Sequence, residues 1–317
     1  MIVDIGGVES DIVSLFILGC MAGFLSGFFG IGGGSLVTPI LQVIFQIPFQ
    51  ICVGSSLAQT AGSSITAVLR HWKLGNVDFK LAFLILGVNF LGVESGARIL
   101  DYLGSLDTFV IKNQEIHYVE YYSRWLFLLI LLVIAGLITL ESLPSNSLLK
   151  GRIKTKLKGR IKTKNETNTK LTGRLIQRLQ IPPIIDFPKS NLYSISIVAI
   201  TYPAFFIGIT TGLLGIGGGV ITVPLLIYGC GVPTNIAVGT SLLLVFFSTF
   251  YGTIIHSMRH NVDLTLLSTL LIGSTIFAQI GASMTQLISG HSIRFYFSFI
   301  VWALSILLIY DLITRFF

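Results

Sequence analysis

The sequence predicts an all-α polytopic membrane protein made of two copies of one unit, and three observations predict it. Of 317 residues, 53% are hydrophobic and 11% charged, with a mean hydropathy of +0.84. Soluble chains carry about 25% charged residues, so a soluble enzyme, a disordered chain and a collagen-like chain are all excluded. Eight apolar stretches approach or exceed the roughly 20 residues that a helix needs to cross a bilayer. Finally, Gly30-Ile31-Gly32-Gly33-Gly34 recurs as Gly215-Ile216-Gly217-Gly218-Gly219, and the offset of 185 residues holds without a gap far beyond the glycines.

The first stretch, 12–30, follows Asp4, Glu9 and Asp11. A cleavable signal needs basic residues there, so this stretch is expected to remain as a span. After the glycine cluster, the segment 35–47 contains Pro39 and reaches only about 18–20 Å as a helix, which predicts a broken or half helix. The stretch 50–70 opens on Val53-Gly54-Ser55-Ser56-Leu57, carries Gln59, Thr60, Ser63 and Ser64, and ends at Arg70-His71-Trp72-Lys73. Asn76-Val77-Asp78 leads into 79–100, which contains Glu94 with Arg98 four residues later. An acidic loop, 101–123, precedes the stretch 124–140. The second copy runs through 192–214, the short 219–230 with Pro224, then 235–255, 264–288 and 292–314. It repeats the polar signposts as Val238-Gly239-Thr240-Ser241-Leu242, His256 and Asn261-Val262-Asp263. Shared polar and proline positions at one offset mark a duplication, because apolar composition alone would not reproduce them. The organisation is a first transmembrane repeat (1–140), a linker (141–190) and a second transmembrane repeat (191–317).

Much of the formal net charge of +7 comes from that linker, where Gly151-Arg152-Ile153-Lys154-Thr155-Lys156 recurs as Gly159-Arg160-Ile161-Lys162-Thr163-Lys164. A basic loop of this kind is expected on the cytoplasmic side, its ordinary role a topogenic charge cluster and its sharper one contact with anionic lipid headgroups. It is no nucleic-acid surface. Counting 35–47 as a crossing places the N-terminus outside, Arg70 and Lys73 inside, the acidic loop outside and the linker inside, all in accord with the positive-inside rule. Five crossings per copy is an odd number, so the two repeats are expected to be inverted.

Three consecutive glycines favour unwinding, since each costs about 0.8–1.0 kcal/mol relative to alanine in a helix. Unwound backbone at membrane depth survives only where protein or a water-filled cavity satisfies it. The helix that restarts afterwards offers free N–H groups and a positive dipole end to an anion. Gly32, Gly33, Gly34, Gly217, Gly218 and Gly219 are therefore candidate substrate-binding positions. Ser55, Ser56, Gln59, Thr240 and Ser241 join them, because hydroxyls and amides hold anions without a buried formal charge; helix–helix hydrogen bonding is the other reading of the hydroxyls. His71, Asp78, Glu94, His256 and Asp263 are candidates for ion coupling, with caps, turns and the Glu94–Arg98 pair as their structural reading. Cys20, Cys52 and Cys230 read as small buried hydrophobes. Neither glycine cluster fits a nucleotide-binding motif, and no metal or other cofactor is expected.

Two glycine clusters each leading to a proline, each followed by Val-Gly-Ser/Thr-Ser-Leu, a histidine and Asn-Val-Asp, resemble the sulfite exporter TauE/SafE family. The resemblance covers both apolar halves and not the linker. It implies a multi-pass permease of the bacterial-type inner membrane, exporting small sulfur-containing anions such as sulfite or organosulfonates; the inverted repeats with their interrupted helices suggest alternating access. A channel and an intramembrane enzyme are the competing classes.

Overall fold

The computed structural model describes residues 2–106, 108–111, 114–142 and 181–316. Most of the linker, with its duplicated basic run, lies outside the described residues. The first half contains α1 (Ile12–Phe29), α2 (Gly34–Val43), α3 (Phe49–Lys73), α4 (Phe79–Gly104) and α5 (Tyr118–Ser142). The second contains α6 (Ile197–Leu214), α7 (Gly219–Cys230), α8 (Thr234–Met258), α9 (Leu264–Met284) and α10 (Gly290–Phe316). α7 is α-helical to Pro224 and continues as a π-helix over Leu225–Cys230. Shifted by 185, the bounds of α1 and α3 fall on those of α6 and α8, and the first residues of α2 and α4 fall on those of α7 and α9.

Seven of these helices are long and apolar enough to cross a membrane. α3 is not among them, because one face carries Ser55, Ser56, Gln59, Thr60, Ser63 and Ser64. All six are fully buried, so the polar face of α3 meets protein where lipid would leave it unsatisfied.

Three antiparallel hairpins sit at helix ends: β1 (Ile2–Ile5) with β2 (Val8–Asp11), β3 (Thr108–Ile111) with β4 (Gln114–His117), and β5 (Ile184–Phe187) with β6 (Leu192–Ser196). They add one element and correct two sequence boundaries. The residues before α1 form a hairpin. The expected loop 101–123 is the end of α4, a hairpin and the start of α5. The expected span 192–214 is a strand followed by a helix from Ile197. Caps at equivalent positions set the helix starts: Asp11 accepts from the Ser14 amide at 3.2 Å, and Ser196 from the Ala199 amide at 3.4 Å. The Ser14 hydroxyl and amide also hold the Asp11 carboxyl below its ordinary pKa.

The halves interlock through glycine seams. Gly19, Gly23 and Gly27 of α1 leave no room for a Cβ against Leu270, Ser274 and Ala278 of α9, so these two helices run parallel. Gly208 and Gly212 of α6 lie in the same way on Asn89 and Val93 of α4. Each seam joins the first helix of one half to the fourth of the other, at equivalent positions. Small residues permit this backbone approach, which supplies the van der Waals contact that drives helix association in lipid. α2 returns along α1, with Val37 and Leu41 in one apolar cluster with Leu15 and Leu18. α7 returns along α6, placing Val223 and Ile227 with Ile200 and Ala204. α5 and α10 pack together outside this core and share a buried ion pair, Arg124 Nε to Asp311 Oδ2 at 3.0 Å. Glu120 and Arg315 complete the charge balance, at 3.4 Å from Arg124 and 2.9 Å from Asp311.

Candidate substrate site at two helix breaks

Both breaks form in the same way. α1 ends on Gly30 with φ 75° and α6 on Gly215 with φ 69°, left-handed values that a glycine adopts without a steric penalty. Each cap amide donates to the carbonyl four residues back, Ser26 or Thr211. Each new helix then begins with two amides on one glycine carbonyl: Leu36 and Val37 on Gly33 O, Ile221 and Thr222 on Gly218 O. The preceding amides, Gly34 and Ser35 in one copy and Gly219 and Val220 in the other, have no intrahelical acceptor.

The two breaks touch. A Cβ on Gly34 would collide with the Gly215 carbonyl, and one on Gly219 with the backbone of Ile31. Both collisions are with main chain, so side-chain rotation cannot relieve them. Gly32 sits between Val245 and Thr60, where an added Cβ would come within 2.8 and 2.9 Å of their methyls. Gly217 faces Thr60 and Thr249 at 3.1 and 3.3 Å by the same measure. Gly33 lies against the Gln59 carboxamide, 2.8 Å from Oε1 to a Cβ position, and Gly218 against Ile207 and Thr211. Thus Gly32, Gly34 and Gly217 meet at Thr60 in the middle of α3, with Gly33 on the neighbouring Gln59, while Gly218 lies on α6 and Gly219 on Ile31.

The paired hydroxyls join the halves to each other. Ser241 Oγ donates to Gly30 O at 2.7 Å or to Val238 O at 2.9 Å. Ser56 Oγ has the equivalent partners, Gly215 O at 3.3 Å and Val53 O at 3.0 Å. Thr240 Oγ1 accepts the Asp78 amide at 3.0 Å, and Ser55 Oγ accepts the Asp263 amide at 3.1 Å. All four hydroxyls are spoken for by the opposite half, and the first two brace the carbonyls that the helix breaks release.

The candidate coupling residues are engaged as helix caps, in an ion pair or on main-chain carbonyls. Asp78 caps α4 through the Leu81 amide at 3.2 Å and accepts the Ser190 hydroxyl at 2.6 Å. Asp263 caps α9 through the Thr265 and Leu266 amides, both at 2.9 Å. Glu94 pairs with Arg98 at 2.8 Å on the outer side of α4. His71 Nε2 lies 3.2 Å from Gly27 O, and His256 Nε2 lies 2.9 Å from Gly212 O. A carbonyl only accepts, so Nε2 carries the proton in both. In the second copy Asn261 Nδ2 stands 3.4 Å from His256 Nδ1 and donates to it. Each imidazole thus straps the third helix of its half to the first. Replacing His256 by alanine should destabilise the protein by about 1–3 kcal/mol, the cost of an unsatisfied buried acceptor. His256→Gln keeps a donor and should retain thermal stability in detergent and an unchanged pH profile of transport. A shifted pH profile in the glutamine variant would instead assign the histidine to proton coupling.

Sequence reasoning missed one neighbour of the breaks and one polar residue of the α4–α6 seam. Thr38 Oγ1 is 2.7 Å from Ser56 Oγ and 3.5 Å from Gly215 O. Asn89 donates to Ala204 O at 3.1 Å and accepts from Ser248. Their counterparts are Val223 and Ser274, so the comparison of copies gave only Asn89 a polar match.

Comparison with known proteins agrees with this architecture. A family model described as "Sulfite exporter TauE/SafE" matches residues 15–308. The chain is 24% identical over 308 residues to "Probable membrane transporter protein YunE" of Bacillus subtilis (strain 168), covering 94% of this chain and 97% of that protein. It is 24% identical over 280 residues to "Probable membrane transporter protein YdhB" of the same strain, covering 87% and 89%. A "Probable membrane transporter protein" of Xylella fastidiosa (strain 9a5c) is 25% identical over 296 residues, 92% of each chain. No solved structure matches significantly. With a family match over nearly its whole length, two interlocked sets of membrane helices and relatives named as transporters, the chain belongs to the sulfite exporter TauE/SafE family and is a multi-pass transporter of the cell membrane.

Proposed function

We propose that this protein exports small sulfur-containing anions, such as sulfite or organosulfonates, by alternating access around the two helix breaks. The observation that carries the reading is the contact of Gly34 with Gly215 and of Gly219 with Ile31. The starts of α2 and α7, with their free first-turn amides, thus each lie against the helix break of the other half. Two such starts attract an anion without a buried lysine or arginine. Gln59 and Thr60 add polar groups from α3 alone, since Leu244 and Val245 occupy the equivalent positions. The substrate is therefore held mainly by the first repeat, while Ser56 and Ser241 keep the released carbonyls in place.

We further read the halves as inverted repeats flanking the linker 141–190. Parallel packing of α1 with α9 and of α4 with α6 supports this, because α4 runs back against α3, which the His71 strap aligns with α1. Rocking of such halves opens one central site to either side in turn. Flux in liposomes tests the function. Sulfite or a simple alkanesulfonate should move across membranes containing the protein and not across empty ones. Movement of a neutral solute or a cation with no sulfur-oxyanion flux would overturn the reading.

A further inference from the structure

We infer a second site, distinct from the helix breaks: a groove that binds one acidic phospholipid, with the headgroup phosphate on Arg294. The groove is walled by Phe29, Val223, Ile227, Ile293 and Phe297, and Arg294 stands in it beside Thr234. Its walls come from the end of α1, from α7 and from the first turns of α10. Arg294 is partly buried and has no acidic partner among the described residues. An arginine on an apolar wall, without a carboxylate, is matched by a ligand that carries an anionic head on an apolar tail.

Position selects the membrane lipid as that ligand. The start of α8 lies beside the α3–α4 junction, as the Asp78–Thr240 hydrogen bond shows. Arg70 and Lys73 end α3 there, and Arg70 bonds Ser283 near the end of α9, shortly before α10 begins. Arg294 thus stands at the same end of the molecule as Arg70 and Lys73, which have no acidic partner among the described residues, and that is the end an anionic leaflet attracts. The wall also includes the π-helical part of α7, Ile227 among it. π-Turns within helices mark functional positions, and Phe29 directly precedes the first break. A lipid seated here touches the returning helix of one half and the end of α1 of the other. No equivalent groove follows from the repeat, because the residue matching Arg294 is Phe109, in the hairpin β3–β4.

Purified protein in neutral detergent tests this, with thermal unfolding followed as lipid is added. Short-chain phosphatidylglycerol should raise the unfolding temperature in a saturable way, and phosphatidylcholine of the same chain length should not. Arg294→Gln should weaken the phosphatidylglycerol response at least about 5-fold, the equivalent of one membrane-facing cation, and Arg294→Lys should restore part of it. An undiminished response in Arg294→Gln would place lipid binding elsewhere, the basic linker included, and overturn the proposal. So would an equal response to inorganic phosphate that Arg294→Gln abolishes, which would make the groove a site for free anions. Normal unfolding of Arg294→Gln without lipid shows that the variant folds. If it unfolds early without lipid, retention of phosphatidylglycerol over phosphatidylcholine by the folded fraction in native mass spectrometry decides the same question, with loss of selectivity expected.

Discussion

Alanine at Gly34 or at Gly219 should reduce anion flux to that of empty liposomes while leaving membrane insertion intact. The added Cβ meets a main-chain carbonyl of the other half in each case, Gly215 for one and Ile31 for the other. Neither can move aside without separating the two breaks, and with them the pair of helix starts proposed to hold the anion. Gly87→Ala and Gly136→Ala serve as controls, since nothing lies within 4 Å of a Cβ at either position. Both are helical glycines, so alanine there should leave flux unchanged and stabilise by up to about 1 kcal/mol. Flux measured in parallel with the elution profile in detergent separates lost transport from lost folding. Wild-type flux in both Gly34→Ala and Gly219→Ala would reduce the breaks to packing features.

Gln59→Leu should raise the half-saturating substrate concentration by about 10- to 150-fold with little change in maximal rate. That range corresponds to one hydrogen bond to a charged group, about 1.5–3 kcal/mol. The substitution reproduces the residue already present at the equivalent position, Leu244, so the helix and its packing tolerate it. Ser56→Ala is expected to behave differently. Its hydroxyl braces the Gly215 carbonyl, so its loss should lower thermal stability along with transport. Initial rates over a range of substrate concentrations distinguish the two variants. An unchanged half-saturation in Gln59→Leu would remove the first repeat's polar side from the site.

The helix plan was legible in the sequence because two signals agreed along its length. Apolar stretches gave the spans, and the offset between Gly30 and Gly215 gave the pairing of elements. Glycine clusters and prolines marked α2 and α7 as half helices, and these segments are 10 and 12 residues long in the structure. The hairpins escaped because four-residue strands such as Val8–Asp11 carry no period beyond their turn. The early start of α5 at Tyr118 escaped because the acidic loop 101–123 took in its first turns, where Glu120 pairs with Arg124 and Arg124 with the buried Asp311. That partner is far away in sequence and nothing local announces it.

The candidate site was legible in its glycines and less so in its hydroxyls. Conformational demands are local, so the left-handed turns at Gly30 and Gly215 show in the residue type itself. Hydrogen-bond partners are not local. Ser241 meets Gly30, and Ser55 meets Asp263, across the junction of the two halves. Only the fold shows that these hydroxyls serve the joint between repeats. The same holds for His71 and His256, whose Nε2 atoms are committed to carbonyls one helix away.

Equilibrium binding of radiolabelled sulfite to the purified protein tests the central claim most directly, because one anion is to be shared by two helix starts from opposite halves. The account predicts one saturable site per chain, lost in Gly34→Ala and equally in Gly219→Ala. Two independent sites per chain, each abolished by only one of the two substitutions, would contradict it, and so would sulfite binding that both variants retain at wild-type affinity.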